Sequence, residues 1–180
     1  VGAYTDVLSE FGGDSYEGTD SFLTGRTSGV ATLRTSNAFG LADGVQFAAQ
    51  YQGQDDSNSD PAKQHGTGYG FSLGYDLADT GISAIAAYAT SAITADQKNA
   101  GGWEGKNAEF WGTGLKYSAN SLYAATIFGE SHNLLEDANK AQHFEAMAAY
   151  VFDFGLRPNV AYVHARNSAH DDVVEYVALG

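Results

Sequence analysis

A two-residue alternation of apolar with small or polar side chains, repeated segment after segment, constrains this chain more than any other feature. A period of two is that of the extended strand, whose successive side chains point to opposite faces. In 45–52, Val45, Phe47, Ala49 and Tyr51 share one face, and Gln46, Ala48, Gln50 and Gln52 share the other. In 69–77, Tyr69, Phe71, Leu73, Tyr75 and Leu77 stand opposite Gly70, Ser72, Gly74 and Asp76. In 144–152, Phe144, Ala146, Ala148, Tyr150 and Phe152 stand opposite Glu145, Met147, Ala149 and Val151. In 156–162, Leu156, Pro158, Val160 and Tyr162 stand opposite Arg157, Asn159 and Ala161. Further strands are expected at about 23–35, 82–92, 109–118, 122–131 and 173–180, about nine in all. Alanine occupies both faces of 82–92 and 122–131, so the alternation is weakest there.

The connections alternate in length. Asn37 to Gly44, Ala78 to Gly81, Ser118 to Ser121 and Asp153 to Gly155 read as short turns. Gln54 to Gly68, Thr94 to Asn107 and Ser131 to Gln142 read as long polar loops. Such a rhythm predicts an up-and-down antiparallel meander with one plain and one elaborated end. The composition agrees: 22 Gly, 11 Tyr and 10 Phe with only 2 Pro favour strands and tight turns over helices.

Several functions are excluded early. The 9 basic against 22 acidic residues leave a formal charge of −13, which repels nucleic acid. Cysteine is absent, which rules out disulfides, thiolate metal sites and cysteine nucleophiles. The histidines at 65, 132, 143, 164 and 170 lack metal-ligand spacing and read as solvated side chains. Asp55-Asp56 and Asp171-Asp172 read as solvated loop acids rather than calcium sites, and Gly66-Thr67-Gly68 as a turn without a phosphate loop's lysine. Nothing points to an enzyme, a metal or a cofactor. No apolar run of about 18 residues exists for a spanning helix, yet alternating strands cross lipid without one.

Alternation alone leaves two all-β architectures open, a membrane barrel and a soluble sandwich. The aromatics at Tyr51, Tyr69, Tyr75, Tyr88, Trp111, Tyr117, Phe128, Tyr150, Phe152 and Tyr162 lie near strand ends, as interfacial girdles do. Alanine, leucine and valine fill the space between them and suit a lipid contact. The sandwich alternative is a soluble or surface-attached carbohydrate-binding or adhesin protein, with Phe47, Tyr75 and Phe152 buried in its core.

The segment Tyr4-Thr5-Asp6-Val7-Leu8-Ser9-Glu10-Phe11-Gly12-Gly13-Asp14 is acidic and unlike a strand. It resembles the constriction loop of the enterobacterial general porins (the OmpF, OmpC and PhoE type), with Ser9 where that family has proline. The resemblance continues through Phe22-Leu23-Thr24-Gly25-Arg26, Gly29-Val30-Ala31-Thr32, Phe39-Gly40-Leu41, Asp43-Gly44 and Gln50-Tyr51-Gln52-Gly53. It extends to Thr113-Gly114-Leu115-Lys116-Tyr117, Ala138-Asn139-Lys140-Ala141-Gln142 and Phe152-Asp153-Phe154-Gly155-Leu156-Arg157-Pro158.

What the resemblance implies is specific. The fold would be part of a sixteen-stranded transmembrane barrel in the bacterial outer membrane. Residues 1–180 would form one partial barrel domain, with 1–21 as a constriction loop folded into the pore and 22–180 as strands, long outer loops and short periplasmic turns. Family members are roughly twice this length, and an open sheet edge is not tolerated in lipid, so the chain is expected to be an incomplete stretch. The function would be passive diffusion of ions and small hydrophilic solutes. Asp6 and Glu10 would face Arg26 across the constriction. Arg34, Gln46, Gln50, Lys116 and Arg157 would face the lumen. No lysine occurs from Val1 to Arg34, so weak cation preference is expected. The expected partners are outer-membrane lipid and lipopolysaccharide, two further copies in a homotrimer, and phage or bacteriocins at the long loops.

Overall fold

The computed structural model describes residues 29–40, 42–135, 138–168 and 172–180. They form nine strands: β1 (Val30–Ser36), β2 (Val45–Gln52), β3 (Gly68–Leu77), β4 (Ile82–Ala92), β5 (Asn107–Ala119), β6 (Leu122–Leu135), β7 (Ala138–Tyr150), β8 (Asn159–Asn167) and β9 (Asp172–Leu179). Their spatial order is their order in sequence, and every neighbouring pair is antiparallel. This is the expected all-β up-and-down meander. Among the described residues no helix is long and apolar enough to cross a membrane.

Register follows from the side-chain alternation, because a slip of one residue would exchange the faces. Phe47 pairs with Leu73, Leu73 with Ala86, Ala86 with Thr113, Thr113 with Phe128, and Phe128 with Phe144. Apolar side chains therefore continue from strand to strand on one face. The apolar faces read from the sequence at Val45 to Tyr51, Tyr69 to Tyr75, Phe144 to Tyr150 and Val160 to Tyr162 fall on that face.

Two expectations about connections need correction. The long polar loop expected at 131–142 is mostly strand: β6 runs on to Leu135 and β7 begins at Ala138. Ser131 pairs with Ala141 and His132 with Lys140, with a register shift beyond His132 where Asn133 takes a positive φ of 51°. Polar composition suggested a loop, but antiparallel pairing continues through the segment. The strand expected from 156 begins at Asn159 instead. Pro158 has no amide to donate to a ladder, so Leu156 to Pro158 belong to the hairpin end.

The other long connections are ordered by side chains. Thr94 caps a six-residue helix, Ala95–Ala100, within the 94–107 loop. Its hydroxyl accepts from the Gln97 amide at 3.2 Å, and Gln97 Oε1 accepts from the Thr94 amide at 2.8 Å. The spacing Thr-x-x-Gln signals this reciprocal cap. Buried Gln64 joins the 54–67 loop to that helix, accepting from Thr94 Oγ1 at 2.8 Å and donating to Asp96 at 3.0 Å. In the same loop, the Ser57 hydroxyl and amide hold the Asp55 carboxyl below the usual carboxylate range.

Gly66 is where the 54–67 loop touches the sheet. Its amide donates to Ala92 O at 2.9 Å, and an added Cβ would lie 2.3 Å from that same oxygen. Gly66→Ala should therefore cost about 1–3 kcal/mol locally, since a backbone oxygen cannot move aside as a flexible side chain does. Faster hydrogen exchange at Asp55 and His65, which bridge each other across this loop, would report the release. Unchanged protection would show that the loop does not depend on this contact.

Candidate pore-lining face

The face opposite the apolar one is built from small and polar residues. Rows of paired residues can be followed across it. One runs Arg34, Ala48, Ser72, Ala87, Gly112, Gly129 and His143. The row below starts at Ser36 and Gln46 and continues through Gly74, Ile85, Gly114 and Ile127 to Glu145 and Val163. A third, nearer the short turns, brings Asp76, Ser83 and Lys116 side by side. Gly112 and Gly114 keep the middle of the face low.

Several residues singled out from the sequence meet here. Gln46 donates to Asp76 Oδ2 at 2.6 Å, and Gln50 donates to Thr32 Oγ1 at 3.1 Å. Arg34, on the same face as Thr32, is exposed and lies across from Ala48. Lys116 is half-buried beside Ser83. Arg157 is exposed in the β7–β8 connection, outside the regular ladder. Asp6, Glu10 and Arg26 lie outside the described residues.

Burial divides this face. Over β1 and the start of β2 it is open, with Arg34 and Gln46 exposed, although Gln52 at the far end of β2 is fully buried. Over β6 to β8 it is closed: Ile127, Val163 and Glu145 are each 1% exposed, and Met147, Ala149 and Ala161 are also buried.

The apolar face behaves in the opposite way. Phe71, Leu73, Tyr75, Leu115 and Val177 are all exposed, Leu73 at 57%. Such a continuous exposed apolar surface marks a contact with lipid or protein. It also departs from a sandwich, which would bury Tyr75 and Phe152; both are exposed, and Phe47 is only half-buried.

The family model described as "Gram-negative porin" matches residues 1–180. The chain belongs to that family. Among its relatives, the outer membrane porin protein LC of Enterobacteria phage PA-2 is 48% identical, covering all of this chain and 54% of the relative. The putative outer membrane porin protein NmpC of Escherichia coli K12 is 47% identical with the same coverage. A solved structure, Salmonella typhi OmpF in complex with daunomycin, superposes with a TM-score of 0.87 at 36% identity, covering all of this chain and 57% of that one. The chain thus spans about half the length of the curated relatives it matches.

On this porin sheet, one polar cluster escaped sequence reasoning. Glu130 accepts from Lys140 Nζ at 2.7 Å and from Gln142 at 3.0 Å, and lies 2.7 Å from His132 Nε2. Register puts all four on the apolar face, at its long-loop end, with Arg166 beside Gln142. The signal was the alternation itself. Glu130 and His132 share a parity, as do Lys140 and Gln142, but only Glu130 lies in the expected 122–131 strand, and the other three fall in the expected 131–142 loop, where no faces are assigned.

Proposed function

We propose that the full-length protein is an outer-membrane porin, a water-filled channel for passive diffusion of ions and small hydrophilic solutes. One observation carries this reading: across β1 to β5 the sheet sets an exposed apolar face against a small and polar one. Lipid accepts the first and cannot solvate the second, whereas a water-filled pore accepts the second. In the whole protein the edges at β1 and β9 pair with further strands, since a barrel in lipid leaves no open edge. Selection by such a channel rests on the size and charge of the hole, and no bond is made or broken.

Residues 1–21 act as the constriction loop and supply the layer over β6 to β8. The near-complete burial of Ile127, Val163 and Glu145, on the same face as the exposed Arg34 and Gln46, supports this placement. Asp6 and Glu10 then stand across the gap from Arg26, with Arg34, Gln46, Gln50, Lys116 and Arg157 further along the wall. The opposed charges orient dipolar solutes and give weak cation preference. The short turns face the periplasm and the long loops the outside, where phage or bacteriocins attach. At that outer end, Glu130, Lys140 and Arg166 offer both signs of charge to lipopolysaccharide phosphates and their bridging cations. The assembly is a homotrimer with one pore per subunit.

Planar bilayers test the central claim. The full-length protein should give stepwise, ohmic conductance that grows in proportion to salt concentration. Binding to the bilayer without conductance steps would overturn the channel reading.

A further inference from the structure

The small and polar face changes character along the sheet. Over β1 to β4, on its short-turn side, it carries Arg34, Gln46, Asp76 and Ser83. From β6 onward the same face turns apolar. Ala125, Met147, Ala149 and Ala161 belong to one buried cluster there, and half-buried Tyr123 packs against it. Pairing puts Ala125 beside Met147, Met147 beside Ala161, and Tyr123 beside Ala149. Three alanines keep this floor shallow, and a methionine sulfur is a favourable neighbour for an aromatic ring. Ion conduction alone has no use for an apolar floor on a wall that meets water.

Lys116 stands at the boundary between the two halves. On β5 it pairs with Ser83 on its polar side and with Ala125 on its apolar side. Tyr123 is its diagonal neighbour, directly opposite Ser118, and Ser118 is exposed, so this end of the face is open to solvent. Diagonal neighbours in an antiparallel pair have Cβ atoms about 7–8 Å apart, close enough for a long cation and an aromatic ring to touch one small molecule together. Asp76, two strands away, is held by the Gln46 carboxamide at 2.6 Å. A solute arriving at this place meets an ammonium and a ring side by side above an apolar floor.

We propose that Lys116 and Tyr123 form a wall subsite for small aromatic carboxylates. The carboxylate meets the Lys116 ammonium, and the ring lies against Tyr123 at the edge of the alanine and methionine floor. The cation sets the sign of the ligand's charge, and the tyrosine favours an aromatic partner in offset or edge-to-face contact. The subsite rests on the water-filled channel reading and deepens it by naming a class of solute.

The test uses the full-length protein in planar bilayers at constant ionic strength, with phenylacetate, acetate or phenylacetamide added in turn. Phenylacetate carries both the charge and the ring, and the other two carry one each. Phenylacetate should lower the single-channel conductance at concentrations where acetate and phenylacetamide have little effect. Lys116→Gln and Tyr123→Ser should each raise the concentration needed several-fold. Lys116→Arg and Tyr123→Phe should leave it nearly unchanged, because the charge and the ring survive. Phenylacetate no more effective than acetate would sink the subsite while leaving the channel intact, and so would equal inhibition by phenylacetamide. Inhibition that survives both Lys116→Gln and Tyr123→Ser would also refute it, and its loss in Arg26→Gln would then move binding to the proposed constriction. The absence of any conductance step would overturn the channel reading itself, and the subsite with it.

Discussion

Leu73→Arg should destabilise the membrane-inserted protein by about 2–4 kcal/mol, the cost of a guanidinium facing lipid near the bilayer midplane. Leu73 lies mid-strand in β3, half exposed, with Phe47 and Ala86 as cross-strand neighbours on the same face. None of these offers the cation a partner. Ser72→Arg, one residue away on the opposite face, should cost far less, because its neighbours Ala48 and Ala87 lie toward the water-filled side. Equilibrium unfolding in lipid vesicles with denaturant would measure both. The informative quantity is the difference, since the two substitutions share a strand and a charge. Equal costs at 72 and 73 would mean that neither face meets lipid, and a negligible cost at 73 would place the apolar face against water or protein.

The second large effect is on selectivity. Neutralising the proposed constriction carboxylates together, Asp6→Asn and Glu10→Gln, should shift the reversal potential in a salt gradient towards anions. Arg26→Gln should shift it the other way. A charge in a narrow passage with low-dielectric walls acts on a passing ion more strongly than one in open solution. Both shifts should shrink in concentrated salt, where the screening length falls to about 3 Å at 1 M. Asp55 and Asp56 supply the comparison. They lie in the 54–67 loop, where Asp55 is tied to Ser57 and Asp56 accepts from Gln54. Removing that pair should move the reversal potential much less. Equal shifts from both pairs would assign selectivity to total vestibule charge, and the constriction roles of Asp6 and Glu10 would fall.

Side-chain parity was legible in the sequence because a strand enforces it locally. Val45 to Tyr51 and Tyr69 to Leu77 could be assigned to faces with no knowledge of their partners. The turns were legible for a similar reason, since Gly44 and Gly81 sit at positive φ where glycine is the least strained residue. The extended β6–β7 hairpin was not legible, because its polar composition matches that of a loop while strand pairing continues through it. The helix at Ala95–Ala100 was readable in principle from Thr94 and Gln97, but a six-residue helix is too short to show a periodic stripe.

The candidate site divides along the same line. By itself the sequence determined the alternation, the faces of Arg34, Gln46, Gln50 and Lys116, and the resemblance of residues 4–14 to a constriction loop. Only the tertiary structure decided which of those residues are neighbours. Gln46 meets Asp76 and Lys116 stands beside Ser83 because strand pairing sets the register between segments far apart in the chain. Burial was likewise a tertiary result. Ile127 and Arg34 both project from the small and polar face, yet one is shielded and the other open. Alternation states which side of a strand a residue occupies, but what lies over that side depends on parts of the chain distant in sequence.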